Sequence, residues 1–161
     1  MQTAITTFTV GLKALIMNDK QQFLIIQRAK NITKGGLYDL PGGRMHLGET
    51  LRTALTREVK EEVGLTLEKI FNPICITTFV RDVDKSNQIV RVLFPCLASG
   101  KIELDSLEVS DYLWINQQDA SNYQFPDENF LDALTRIKPS DFKNADTLGK
   151  GALIDSLDFL E

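Results

Sequence analysis

Residues 57 to 62 read Arg-Glu-Val-Lys-Glu-Glu, which places a guanidinium and three carboxylates in one short span, with Glu49 a little ahead of them. On a helix turning about 100° per residue, Arg57, Glu58, Glu61 and Glu62 share one broad face. Glutamates three and four positions apart repel one another there. Lys60 points elsewhere, so Arg57 is the one cation close to them on that face. Two readings follow: a solvated acidic surface, or a site where a hard divalent cation and phosphate oxygens offset the charge. Upstream, Leu40-Pro41-Gly42-Gly43 and Leu47-Gly48-Glu49 are glycine-bearing loops. Such backbone can come close to a ligand and offer it carbonyls or amides, although alone it is an ordinary turn.

The elements that must position these groups can be read in outline. Thr50 to Val63 is a helix by composition, with Thr50 as N-cap, Gly64 just past the end, and Leu55, Val59 and Val63 as the stripe that packs on a sheet. Phe8 to Met17 and Phe23 to Arg28 read as strands, with Asn18 to Gln21 between them. Short strand pieces, Leu37 to Leu40 and Arg44 to His46, surround the glycines. Asn72 to Arg81 and Gln88 to Leu97 read as a hairpin turning at Asp84 to Asn87. Symmetric pairing about that turn sets Phe79 opposite Val92, Thr77 opposite Phe94 and Cys75 opposite Cys96. A disulfide is conceivable in that register, but two unpaired thiols are the expectation. Gly100 to Ser110 is a loop or edge segment and Leu113 to Asn116 a short strand. Pro126 opens a second helix that runs to about Ile137, with Pro139 beyond it. Strands alternating with helices imply an α/β domain whose mixed sheet is covered on both faces.

The whole chain bounds the function. Its 161 residues are expected to form a single domain, 1–161, with 43% hydrophobic and 25% charged residues and a net charge of −4. The balance is acidic and has no Lys/Arg tract, which argues against binding duplex nucleic acid but not against a nucleotide whose phosphates a metal neutralises. There is no signal-peptide pattern and no apolar run near about 18 residues, so a cytoplasmic protein without a membrane partner is expected. The two cysteines have no CxxC spacing and read as small buried hydrophobes. Residues 140–161 are the least readable: Leu153, Leu157 and Leu160 fall at helical spacing, which suits a core helix or, as a C-terminal extension, a dimer contact or a lid, core or dimer packing being the more common use. Monomer and homodimer both remain open.

Gly43, Glu49, Arg57, Glu58, Val59, Glu61, Glu62, Gly64 and Leu65 fill every specified position of G-x5-E-x7-R-E-U-x-E-E-x-G-U, where U is a bulky aliphatic residue. At roughly 7% per residue type, the non-aliphatic positions alone would match by chance on the order of 10⁻⁸. The stretch resembles the Nudix box, and the flanking GLYDLPGG and the later Tyr112-Leu113-Trp114-Ile115 are similar to the same family. The resemblance implies a Nudix α/β/α sandwich with a mixed central sheet. It implies a MutT-like hydrolase that uses Mg²⁺ or Mn²⁺ to cleave the pyrophosphate bond of a nucleoside diphosphate linked to X. A small-molecule nucleotide, a (d)NTP or a modified nucleotide, is the expected substrate. ADP-ribose or a nucleotide sugar is the alternative, and a non-catalytic Nudix ligand-binding or regulatory domain is the alternative from another class.

Roles follow by motif position. The resemblance makes Glu58, Glu61 and Glu62 the metal carboxylates, with the Gly42 or Gly43 carbonyl as a further ligand. Glu58 is favoured as the base that deprotonates water, although the family varies on this. Arg57 orients a box glutamate, and Glu49 supports the loop or the metal shell. Outside the box, Glu108 precedes Trp114 where MutT-type members carry an acidic ligand, with Asp105 and Asp111 as competitors; each can equally be a surface carboxylate. Phe125-Pro126-Asp127-Glu128-Asn129 fits a purine-selective pattern in which the asparagine reads the base edge, and it is also a good helix start. Arg28 and Gly42 join Asn129 as substrate-binding candidates. Tyr38 and Phe79 could stack on a base or pack in the core, and His46 could reach a phosphate or simply be exposed.

Overall fold

The computed structural model describes residues 7–80, 87–126 and 128–142. In chain order they form β1 (Thr7–Ile16), β2 (Phe23–Arg28), β3 (Tyr38–Asp39), α1 (Leu51–Val63), β4 (Thr66–Ile70), β5 (Cys75–Val80), β6 (Asn87–Ser99), β7 (Val109–Ile115) and α2 (Glu128–Thr135). Two 3₁₀ turns, Gln117–Asn122 and Pro139–Phe142, flank α2 and were not foreseen. The first helix and the second strand lie where their patterns place them. β7 starts earlier than expected, and the Arg44–His46 strand reduces to one bridge between Gly11 and Arg44.

One sheet is four-stranded and mixed. β6 pairs in parallel with β1 along one edge, and antiparallel with β4 and β5 in succession along the other. The other sheet is antiparallel, in the order β3-β2-β7. Side chains on β1 and β2 alternate between two cores, as the period of two requires. Leu12, Ala14, Ile16, Leu24 and Ile26 pack with Leu55, Val59 and Val63 of α1. Leu15, Phe23 and Ile25 pack with Ala133 and Leu134 of α2. Burial on both faces explains why Gly11 to Ile16 is a continuous run rather than an alternating one. The result is the expected α/β/α arrangement with a mixed sheet.

The expected hairpin register is corrected. Cys75 pairs with Leu93, Thr77 with Arg91 and Phe79 with Ile89, three places from the symmetric pairing about residues 84–87. Cys75 therefore does not face Cys96, and the two do not form a disulfide. In the observed register β6 runs on past β5 to pair with β4, where Cys96 meets Ile70. Turn residues alone do not see that second partner. Part of the turn, 81–86, lies outside the described residues, as does 143–161 with its leucine pattern.

Candidate active site

α1 is anchored at both ends, which fixes the rotation of its acidic face. At the start, the Thr50 hydroxyl accepts from Thr53 N at 3.1 Å, while Thr50 N donates to Thr53 Oγ1 at 2.9 Å. At the end, Gly64 adopts φ 74° and its N–H donates to Lys60 O at 3.1 Å. Beyond it, Glu103 N and Asp105 N donate to the free carbonyls of Val63 and Glu62 at 2.9 and 3.1 Å. The 103–108 loop thereby clamps the helix end. Its Glu108 carbonyl accepts from Ala29 N at 2.9 Å, which ties the loop to the end of β2.

Arg57 gathers the box carboxylates. Its Nε and Nη2 donate to the two oxygens of Glu49 at 2.7 and 3.0 Å, a bidentate pair. Nη1 donates to Glu58 Oε1 at 2.9 Å and Glu61 Oε2 at 3.0 Å, and Nη2 also reaches Arg44 O at 3.1 Å. All five guanidinium N–H groups thus have an acceptor. The Arg57 hydrogen bonds are the main reason Glu49 is held well below the ordinary carboxylate range, at about 2, and the Glu49 carboxylate in turn pushes the Arg57 guanidinium up. His46 enters this cluster through its backbone, whose N–H donates to Glu49 Oε2 at 2.8 Å.

Glu62 sits differently. It is 7% exposed, and its Oε2 accepts from Gly42 N at 2.7 Å. Burial pushes its carboxyl up to about 7, against the pull of the Lys13 ammonium and the Gly42 hydrogen bond. The glycine loop can lie this close because Gly42 has φ +124° and a Cβ there would strike the Leu12 carbonyl, while a Cβ on Gly43 would strike the Glu58 carboxylate. Pro41 O and Gly43 O accept from Ala14 N and Leu12 N, both at 2.8 Å, so the loop lies along β1.

The structure brings Gly42, Gly43, Glu49, Arg57, Glu58, Glu61 and Glu62 together. Arg28 lies beyond the loop, with Nη1 3.4 Å from Asp39 Oδ2. Glu108 is exposed in the turn whose Asp105 carboxylate accepts from Leu107 N at 2.9 Å, and no metal-sized cluster of three His, Cys, Asp or Glu side chains occurs among the described residues. Asn129 falls in the first turn of α2, and its side chain lies outside the described residues, as does Asp127. Phe79 carries Arg91 over its ring at 4.6 Å, and Tyr38 packs edge-on against Tyr123.

Sequence reasoning missed Lys13 and Asp39. Both are buried, and Lys13 Nζ lies 3.0 Å from Asp39 Oδ2 beneath the glycine loop. The signal was available: a lysine inside Val10-Gly11-Leu12-Lys13-Ala14-Leu15-Ile16 is a charge in a doubly covered strand, which requires a partner.

The comparisons with known proteins can be set beside this geometry. The NUDIX domain family matches residues 7–134. The chain belongs to the Nudix family. A MutT-like protein of Streptomyces ambofaciens is 30% identical over 113 residues, covering 70% of this chain and 67% of that one. The 8-oxo-dGDP phosphatase NUDT18 of Mus musculus is 47% identical over 57 residues, 35% of this chain but only 17% of the mouse protein's length. Among solved structures, the MutT protein from Methanosarcina mazei Go1 superposes with a TM-score of 0.71 at 25% identity, covering 84% of this chain and 94% of that one. The domain is therefore a Nudix hydrolase, of a family that generally uses divalent metals and whose nucleotide hydrolases act on small nucleotide substrates. No described helix is long and apolar enough to cross a membrane.

Proposed function

We propose that this chain is a single Nudix hydrolase domain, with 140–161 as an extension, that cleaves the pyrophosphate of a nucleoside polyphosphate, a (d)NTP or a base-modified nucleotide. The observation that carries the reading is the uneven use of carboxylate oxygens. Arg57 and Gly42 N take one oxygen each from Glu58, Glu61 and Glu62, while Glu58 Oε2, Glu61 Oε1 and Glu62 Oε1 have no hydrogen-bond partner among the described residues. Three hard anionic oxygens on one helix face, beside the Gly43 backbone, form a donor set for Mg²⁺ or Mn²⁺. They do not converge in this arrangement, so closing the set requires their side chains to rearrange. Glu108 is the candidate donor from outside the helix.

A bound cation supplies charge neutralisation on the phosphate oxygens and acidifies water. The chain's residues do the rest. Glu58 takes the proton as water oxygen bonds to phosphorus and the bond to the departing phosphate oxygen breaks. Arg57 holds Glu58 and Glu61 in register, and Glu49 holds Arg57. Gly42 N–H keeps Glu62 aimed at the same face. Arg28 and Asn129 are the proposed nucleotide-binding residues. The mouse relative's named activity on 8-oxo-dGDP supports a modified purine nucleotide as one substrate to try. We place the protein in the cytoplasm, as a monomer or homodimer; the absence of a disulfide between Cys75 and Cys96 suits a reducing compartment.

The test is a screen of purified protein with Mg²⁺ or Mn²⁺ against (d)NTPs, 8-oxo-dGTP, 8-oxo-dGDP, ADP-ribose, NADH, dinucleoside polyphosphates and nucleotide sugars. Turnover is expected for a nucleoside triphosphate or its oxidised form. Preference for ADP-ribose or a sugar nucleotide would replace the substrate assignment, and silence across the panel would favour the non-catalytic alternative.

A further inference from the structure

Lys13 is 7% exposed, and its ammonium has all three hydrogens in use. Nζ donates to Leu40 O at 2.8 Å and Gly42 O at 2.7 Å, and pairs with Asp39 Oδ2 at 3.0 Å. Asp39 is 4% exposed; its other oxygen accepts from Leu40 N at 2.8 Å, and Arg28 approaches the shared oxygen at 3.4 Å. One buried cation therefore bridges β1 to both ends of the Leu40–Gly42 turn. That turn carries the Gly42 N–H bonded to Glu62 at 2.7 Å and the Gly43 backbone packed against Glu58.

We infer that Lys13, paired with Asp39, is a positioning residue for the cation site: it sets the orientation of the Leu40–Gly43 turn and, through Gly42 N–H, the aim of the Glu62 carboxylate. The reason is geometric. Gly42 N–H lies in the Pro41–Gly42 peptide unit, whose carbonyl accepts from Ala14 N, and Lys13 holds the peptide units on either side of it at Leu40 O and Gly42 O, so the ammonium fixes the two ends between which that unit can turn. Without the ammonium, the Leu40 and Gly42 carbonyls and Asp39 lose a common buried partner, and the turn relaxes to find water. Groups that orient metal ligands from behind typically change metal affinity or activity by about 10- to 100-fold when removed. The inference rests on the proposed metal site.

Lys13→Met keeps the length and apolar stem of the side chain and removes the charge. Three readings are taken on it and on the wild type: Mn²⁺ affinity by calorimetry without nucleotide, kcat and KM with the best substrate, and amide exchange by NMR. In the variant, Mn²⁺ affinity and kcat are each expected to fall about tenfold or more. The Gly42 and Ala14 amides, tied to opposite ends of the Pro41–Gly42 peptide unit, should lose protection from exchange together, while strand amides of the β1–β6 pairing keep theirs. A folded variant with wild-type Mn²⁺ affinity, kcat and Gly42 protection overturns the inference. Should Lys13→Met not fold, the wild type decides alone: the Lys13 ammonium resonance is expected to be protected and to shift on adding Mg²⁺, and an unchanged resonance at saturation overturns the coupling. A wild type that binds no Mn²⁺ or Mg²⁺ instead sinks the metal-site reading on which all of this stands.

Discussion

The polar face of α1 has two regions that share residue types and differ in how their valences are spent. Around Arg57 each guanidinium N–H meets an acceptor, both Glu49 oxygens are taken, and the cluster is partly open to solvent. Around Glu62 a carboxylate is buried with one backbone donor on one oxygen, and its nearest cation, Lys13, is committed to the glycine turn. The first region is closed and acts as a brace. The second is left incomplete by the protein, and an incomplete buried carboxylate costs free energy that a cation can return. Charge density alone does not mark the chemistry in such a helix; carboxylate oxygens left without a protein partner do.

The sharpest way to break this contrast is to neutralise carboxylates that keep an oxygen without a protein partner, Glu58 at the edge of the brace and Glu62 beyond it. Glu58→Gln and Glu62→Gln are each expected to lower Mg²⁺-dependent phosphate release by about 10²- to 10⁴-fold while the protein stays folded by circular dichroism. Full activity in either variant would remove that residue from the site. The brace should matter less. Arg57→Gln is expected to lower kcat by about 10- to 100-fold, and Arg57→Lys should recover little of it, because an ammonium cannot make the bidentate contact with Glu49. Recovery by lysine would mean that only the charge counts.

A third prediction concerns the metal-free protein in EDTA. Glu62 titrates near 7 when folded and near the ordinary 4.5 when unfolded, so between those values the folded state holds the extra proton. Stability should therefore fall as pH rises from 4.5 to 7, by up to about 3 kcal/mol, and level off above. Adding Mn²⁺ should abolish the decline and Glu62→Gln should flatten it. A thermal-unfolding midpoint that rises over that window would contradict the burial argument. Glu49 carries the opposite sign. Its folded value of about 2 makes the Arg57 pair stabilising above about 4.5, and that contribution is lost as pH falls through about 2. The effect should be small because the pair is partly solvated, and comparing acid unfolding of wild type and Glu49→Gln would isolate it. Smallest in mechanism, Thr50→Ala should cost about 1 kcal/mol of stability by urea unfolding and leave the substrate preference unchanged.

Much of this protein was legible from its residues because the determinants are local. A helix carries its own caps in Thr50 and Gly64, its own apolar stripe in Leu55, Val59 and Val63, and its acidic face at fixed angular spacing, so α1 and the reaction class it implies could be written down from one segment. Tertiary structure decided what depends on distant partners. β6 chose β1 and β4 as well as β5, and that three-way pairing displaced the hairpin register and separated Cys75 from Cys96. Burial on both faces turned Lys13 from a charge in a strand into the anchor of the glycine turn. Which carboxylate oxygens are spent was decided there too, because Gly42 and Glu62 meet only when the loop is laid along β1. Short-range sterics and periodicity are written in neighbouring residues, whereas desolvation and pairing belong to the assembled chain.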